Sequence, residues 1–284
     1  MTIQQALEFA TSRLAAEEPM RSTARRDAEL LLMHSASLTR TGLIAYPERE
    51  LAPTQAAAFD SAIQRRLRHE PVQYIIGTQE FYGLDLTVSP AVLIPRPETE
   101  HLVESVLGLL PHDRPLAIAD IGAGSGAIAI ALAVHLPQAQ LTAFDLSPTA
   151  LAVAEANARR HQVAERIRFL HSDLLGVLAP CEREACFDAI VSNPPYVPLA
   201  DAASLAPQVR DHEPPTALYA GEDGLTIYRR LIPQAEKALR PGGLLALEMG
   251  YGQRDALAGL LGGWQDLRFV DDLQGIPRVA LARR

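Results

Sequence analysis

Leu116-Ala117-Ile118-Ala119-Asp120-Ile121-Gly122-Ala123-Gly124-Ser125-Gly126 is a short apolar run that breaks into glycines at alternate positions. Ala127 to Leu136 follows without a polar interruption until His135. The pattern predicts a buried strand, a tight turn and a buried helix, with the glycines letting the backbone turn and approach a ligand closely. Outward from it the chain alternates short apolar runs with helical periodicity, as a doubly wound parallel sheet requires. The expected strands are Leu116 to Ile121, Leu141 to Phe144, Ile167 to His171, Phe187 to Ser192, Gly243 to Glu248, Leu267 to Val270 and Arg278 to Ala282. That makes an α/β, Rossmann-like fold with a seven-stranded, mostly parallel sheet. Ligands on such a sheet sit beyond the carboxyl ends of its strands.

The marked residues fall at those ends. Gly122, Ala123, Gly124, Ser125 and Gly126 follow the first strand, Asp145 and Leu146 the second, Ser172, Asp173 and Leu174 the third, and Asn193-Pro194-Pro195-Tyr196 the fourth. Taken without its surroundings, the glycine loop also satisfies a dinucleotide pattern through Gly122, Gly124 and Ala127, with an acid, Asp145, about 20 residues on. Asp120 favours S-adenosylmethionine, because a carboxylate near the loop suits an α-ammonium better than a pyrophosphate. Asp145 suits two ribose hydroxyls, and Asp173 with Leu174 is placed to border an adenine.

Asn193 ends the apolar run Phe187-Asp188-Ala189-Ile190-Val191-Ser192. Two prolines after it fix φ and offer no N–H, so the run presents a side-chain amide and bare carbonyls above the sheet. A substrate –NH2 conjugated to a carbonyl or a ring is a poor nucleophile, since its lone pair is delocalised as in a peptide. The Asn193 side-chain oxygen and the Pro194 carbonyl can each accept one of its N–H bonds, with Tyr196 stacked on the flat group. The glycine loop, Asp145 and the Asn193 run together indicate methyl transfer to an amino or amide nitrogen, by positioning and with little acid-base work.

The same motifs, with Ile94-Pro95-Arg96-Pro97-Glu98-Thr99-Glu100, Glu70-Pro71-Val72-Gln73-Tyr74-Ile75-Ile76-Gly77 and Glu80-Phe81-Tyr82-Gly83, resemble the HemK/PrmC family over nearly the whole chain. The resemblance implies a class I methyltransferase that uses S-adenosylmethionine, with S-adenosylhomocysteine as product. It implies as substrate the glutamine side-chain amide in the Gly-Gly-Gln motif of peptide-chain release factors, and hence a role in translation termination. It also places the stretch containing Arg96 and Thr99 near the methionine end of the cofactor. The family often carries an aromatic where Leu174 stands, so aliphatic contact would replace stacking there.

Three domains are expected: a helical bundle over residues 1 to 75, a β-hairpin linker over 76 to 95, and the methyltransferase domain over 96 to 284. The bundle's helices begin at Ile3, capped by Thr2 and Gln5, near Thr23, and at Pro53. Nothing in the bundle has catalytic spacing, and His34 and His69 read as surface or packing residues. An appended domain of this kind, by the resemblance, helps to hold the release factor. The polar, proline-containing segment from Asp201 to Glu222 is long for a connection and is expected to cover the substrate.

The 284 residues, 48% hydrophobic, suffice for one large core and a smaller one. Residues 1 to 75 hold nine acids and nine bases, so all of the net charge of −8 lies beyond them. An acidic chain argues against a phosphate-tracking nucleic-acid binder, including a nucleobase methyltransferase with the same Asn-Pro-Pro-Tyr logic. A nicotinamide oxidoreductase leaves the Asn193 run without a purpose, and a non-catalytic binder keeps the pocket but not the transfer. Cys181 and Cys186 lack metal-ligand neighbours and read as free thiols of a reducing cytoplasm. No signal core or spanning apolar run is present, so a soluble, cytoplasmic protein, without metal and acting as a monomer, is expected.

Overall fold

The computed structural model describes residues 1–178 and 185–284, and Cys181 lies outside them. The chain divides into two compact units, one of Met1–Thr78 with Ser204–His212, the other of Gln79–Ala203 with Glu213–Arg284.

The first unit is helical: α1 (Ile3–Ala16), α2 (Ala24–Ala36), α3 (Arg40–Ala45), α4 (Pro53–Leu67) and α5 (Val72–Ile76). The expected capping box is present. Thr2 Oγ1 accepts from the Gln5 N–H at 3.2 Å, and Gln5 Oε1 accepts from the Thr2 N–H at 2.9 Å. Ile3, Ala6, Leu7, Ala10 and Leu14 recur every three or four residues, so α1 turns one stripe into a core with Leu31, Leu32, Phe59 and Ile63. Arg66 and Asp27, both nearly buried, pair at 2.8 Å inside that bundle. Removing the Thr2 hydroxyl by Thr2→Ala should cost about 1 kcal/mol of stability, read as a lowered urea midpoint at unchanged slope.

The second unit opens with a hairpin of β1 (Thr78–Phe81) and β2 (Leu84–Thr87), turned by Tyr82 and Gly83 with φ of 51° and 76°. Positive φ at both central residues matches the right-handed twist of the strands. Then come α6 (Pro97–Leu109), β3 (Leu116–Ile121), α7 (Ala127–His135), β4 (Ala139–Asp145), α8 (Pro148–Arg160), β5 (Ile167–His171) and β6 (Phe187–Ser192). The chain next passes through α9 (Pro207–Arg210), which belongs to the helical unit. It returns as α10 (Thr226–Ala238), β7 (Leu239–Glu248), α11 (Arg254–Leu260), β8 (Gln265–Asp271) and β9 (Pro277–Arg283).

The seven-stranded sheet has the order β5-β4-β3-β6-β7-β9-β8, parallel except where β9 runs against both its neighbours. Successive β3 side chains serve opposite faces: Ile118 joins α6 and α7, while Ala119 and Ile121 join α10 and α11. The winding reverses between β3 and β6, which pair from Ile118↔Ala189 to Ile121↔Ser192. A crevice opens at the carboxyl ends of such a switch.

The units depart from the expected boundaries in two places. The hairpin is no free linker: Phe81 and Leu86 lie in the sheet unit's core, and the Asn157 amide of α8 clasps Thr87, accepting from its N–H at 2.8 Å and donating to its carbonyl at 3.0 Å. The segment after Asn193 is split, with Ser204–His212 in the helical unit, where His212 Nε2 lies 3.0 Å from the Arg68 carbonyl. Both departures come from contacts between residues far apart in sequence, which local patterning does not encode.

Candidate active site

Ser192, fully buried, donates to the Ile121 carbonyl at 2.6 Å and locks the end of β6 to the end of β3. Gly122 and Asn193, the next residue on each strand, are thereby neighbours; a Cβ on Gly122 would stand 3.8 Å from the Asn193 carbonyl. They line one cavity of about 360 Å³, within the range of small-molecule sites.

The glycine loop forms its floor. The N–H groups of Gly122 and Ala123 donate to the Phe144 carbonyl, at 2.8 and 2.9 Å, which draws the loop toward the end of β4. Gly126 has a φ of 81°, and a Cβ there would meet Ile130 at 3.0 Å and Ala154 at 3.1 Å, so glycine lets α7 and α8 close together. Asp145 lines the cavity, with Oδ2 accepting from the Gly124 N–H and Oδ1 from the Ser147 N–H, each at 2.8 Å. Each oxygen keeps a lone pair for a ligand. Leu146, 57% exposed, and Leu174 add apolar walls beside Ile128 and Phe144. Leu174 has a φ of 53°, unusual for a branched side chain and found where a site holds strained backbone.

Four expected site residues stand elsewhere. Asp120 is wholly buried under the loop and outside the cavity wall. Its Oδ2 accepts from the Ala129 N–H at 3.0 Å, an orphan donor in the first turn of α7, while Oδ1 has no partner. Burial pushes its carboxyl up to about 7. Pro194 is buried behind the wall. Arg96 is committed to Glu213 at 2.6 Å. Tyr196 turns its hydroxyl to Glu248 Oε1 at 3.4 Å, and its ring packs where a Gly250 Cβ would come within 2.9 Å. A buried phenol seeks a polar partner, which draws it away from stacking in the cavity. Asp173 borders the cavity while its carboxylate pairs with Arg230 at 2.6 Å.

Asn193, Pro195 and Thr99 do line the cavity, with Pro95, Ser125 and Ala123. Asn193 Nδ2 donates to Thr99 Oγ1 at 3.1 Å. That bond takes one of the amide's two N–H groups and leaves the carbonyl oxygen Oδ1 able to accept from a ligand.

The stretch after Tyr196 is held by groups that sequence reasoning missed. Gln253 donates to the Tyr196 carbonyl at 3.0 Å, and a Cβ on Gly224 would collide with that same carbonyl. Glu213, 3% exposed, accepts from the Ile94 N–H at 3.2 Å and from Arg96. It thus ties Pro214, Thr216 and Ala217, which border the cavity, to the Pro95 side of the same wall. The only sequence signal was an acid placed directly before Pro214-Pro215. Glu213→Ala should lower kcat/KM about 10-fold, since a slightly misplaced wall costs rate, while the glycine loop stays folded. Steady-state kinetics alongside circular dichroism checks this.

The cavity fits an adenosyl group with a charged tail: backbone donors, a carboxylate for hydroxyls, and aliphatic walls. The chain matches the family model of the PrmC N-terminal domain over residues 5–77 and that of the methyltransferase small domain over residues 101–207. It is 47% identical to the release factor glutamine methyltransferase of Koribacter versatilis, covering 100% of this chain and 99% of that one. To the protein of the same name from Moorella thermoacetica it is 48% identical, again over 100% and 99%. Its fold is similar to the hMettl16 catalytic domain solved with a MAT2A 3'UTR hairpin, at a TM-score of 0.55, 16% identity, and coverage of 96% and 90%.

Proposed function

Because this chain belongs to the family of release factor glutamine methyltransferases, we propose that Asn193 holds the substrate amide over the glycine loop and that its neighbours arrange the transfer. The enzyme methylates the side-chain amide nitrogen of the Gly-Gly-Gln glutamine of peptide-chain release factors, using S-adenosylmethionine. When bound, the cofactor supplies a sulfonium-borne methyl group and leaves as S-adenosylhomocysteine.

Asn193 Oδ1 accepts one N–H bond of the glutamine amide, and the main-chain carbonyl of Pro194, whose ring is buried between the cavity-lining Asn193 and Pro195, accepts the other. With both hydrogens held, the nitrogen lone pair is less delocalised into the carbonyl and is turned toward the cavity. No base is required beforehand, because the alkylated nitrogen is strongly acidic and releases its proton afterwards. The backbone of Gly122 to Gly126, with Ala123 and Ser125, holds the amino-acid portion of the cofactor, Asp145 the ribose, and Leu146, Asp173 and Leu174 border the adenine. Thr99 completes the wall, and Arg96 acts through its pairing with Glu213. Pro195 keeps the strand end rigid, and Tyr196 anchors it to Glu248.

The single observation behind this assignment is the Asn193-to-Thr99 hydrogen bond, which leaves an acceptor on a cavity floored by the glycine loop. The helical unit is read as the substrate-recognition domain. It has its own core and presents Phe9, Ile44 and Tyr46 to solvent. A monomer working in the cytoplasm without binding nucleic acid fits the acidic balance of the chain. Among the described residues no helix is long and apolar enough to cross a membrane.

Incubation with labelled S-adenosylmethionine and purified release factor tests the reading. Label should enter the wild-type factor and be absent from one whose Gly-Gly-Gln glutamine is substituted. Label retained on the substituted factor would exclude glutamine as acceptor.

A further inference from the structure

We propose that Asn157 is a positioning residue for the cofactor, holding the Ser125 peptide of the glycine loop in the form that receives it. The inference rests on the reading of Gly122 to Gly126 as the seat of the cofactor's amino-acid portion. It extends that reading to a residue of α8 that stands outside the cavity wall.

An asparagine inside a helix is unfavourable on local grounds, because its side chain competes for backbone partners. Along α8, Ala150, Leu151, Ala154 and Ala158 form the buried stripe, and Asn157 falls on it with no exposed surface. A carboxamide buried to that degree needs partners for its donors and its acceptor. It finds three, all outside its own helix. Oδ1 accepts from the Thr87 N–H at 2.8 Å, while Nδ2 donates to the Thr87 carbonyl at 3.0 Å and to the Ser125 carbonyl at 2.9 Å. One orientation of the amide meets this set. Turned over, it would set its NH2 against the Thr87 N–H and its oxygen against two carbonyls.

The Ser125 carbonyl depends on that donor. Gly126 is the N-cap of α7, and its carbonyl accepts the first helical bond, from the Ile130 N–H at 2.8 Å. One residue earlier, the Ser125 carbonyl would look to the Ala129 N–H, but that group is given to Asp120 at 3.0 Å. Ser125 is buried and borders the cavity, so its carbonyl must be satisfied inside the protein. The peptide joining Ser125 to Gly126 is thereby tied at both ends, its carbonyl to Asn157 and its N–H to the Ala123 carbonyl at 2.7 Å. The other loop amides take different anchors: Gly122 and Ala123 bond the end of β4, and Gly124 bonds Asp145.

The same amide fixes a second part of the cavity. Thr87 ends β2, and the chain that follows it supplies Ala91, Val92, Leu93 and Pro95 to the wall. One buried side chain thus ties the floor and the approach to that wall together. Without it the Ser125 carbonyl is left unpaired, and the peptide recovers a partner by turning toward the water of the cavity, which reshapes the floor.

The test uses the full chain, with S-adenosylhomocysteine titrated by calorimetry beside steady-state transfer to release factor. Asn157→Leu keeps the branched outline and removes every polar atom. It should weaken S-adenosylhomocysteine binding about 10- to 100-fold and raise KM for S-adenosylmethionine in parallel. At saturating cofactor kcat should stay within about threefold of wild type, because the Asn193 end of the cavity is held separately by Ser192 and Thr99. Asp85→Ala is the control. It removes the contact with Arg160 that fastens the same hairpin to the same helix without involving Ser125, and should leave the affinity unchanged. In the wild type, S-adenosylhomocysteine should slow hydrogen exchange more at the Thr87 amide, which Asn157 holds, than at the Tyr82 amide, which Glu100 holds at 2.9 Å in the turn of that hairpin.

Asn157→Leu with wild-type affinity for S-adenosylhomocysteine overturns the proposal. An Asp85→Ala that loses as much affinity as Asn157→Leu also overturns it, since docking of the hairpin would then account for the effect. A fall in kcat at saturating cofactor as large as the loss of affinity does the same. Where Asn157→Leu fails to fold, the exchange comparison decides, and equal slowing at Thr87 and Tyr82 overturns the role. A wild-type protein that binds no S-adenosylhomocysteine overturns the cofactor reading of the cavity itself.

Discussion

Asn193→Ala lowers kcat by ~10³-fold or more while S-adenosylhomocysteine still binds with wild-type affinity. Loss of a single preorganised hydrogen-bonding group at a reacting centre costs about 10²–10³ in kcat. The loss here sits at the upper end, because Asn193 supplies the side-chain acceptor for the reacting nitrogen itself. The glycine loop does not depend on it: Gly122 and Ala123 are held by the Phe144 carbonyl and Gly124 by Asp145. Ser192, which locks β6 to β3, is untouched. Single-turnover transfer beside isothermal titration separates the two effects. Equal losses of binding and rate would mean that Asn193 supports the pocket instead of the substrate nitrogen.

Asp145→Ala has the opposite signature. Its carboxylate accepts two backbone N–H groups that shape the loop and retains a lone pair on each oxygen for ribose hydroxyls. Hydrogen bonds to a charged group contribute roughly 1.5–3 kcal/mol each, and a tenfold change in affinity corresponds to about 1.4 kcal/mol. Loss of one to two such bonds predicts S-adenosylhomocysteine binding weakened about 10²-fold. At saturating cofactor kcat should recover most of its value, since the Asn193 end of the cavity is intact. Asp145→Asn should fall between the two, keeping one acceptor without the charge. If Asp145→Ala binds S-adenosylhomocysteine as tightly as the wild type, Asp145 serves only the Gly124 and Ser147 N–H groups.

Tyr196 shows where local reading stops. Its place beside Pro195 suggested an aromatic platform for the substrate, yet its hydroxyl goes to Glu248, fifty-two positions away in sequence. Asp120 shows the same limit in another form. A carboxylate before a glycine loop looks available to an ammonium group, but its last turn of strand is buried on every side and its oxygen caps Ala129. Arg96 gives a third case, taken up by Glu213 across more than a hundred residues.

The short helices α3 and α5 were not legible in the sequence, whereas the seven strands in order, the three longer helices of the bundle, the capped first helix, the glycine loop, the placement of marked residues at strand ends and the family itself were. They depend on period, turn chemistry and motif, which act over a few neighbouring residues. Tertiary structure alone decided that the hairpin packs into the sheet unit, that Ser204–His212 belongs with the helices, and that Glu213, Gln253, Gly224 and Glu248 brace the cavity. The reason is physical: a hydrogen bond between distant residues exists only once the fold has brought donor and acceptor within about 3 Å, and burial then decides which of a side chain's partners it must take.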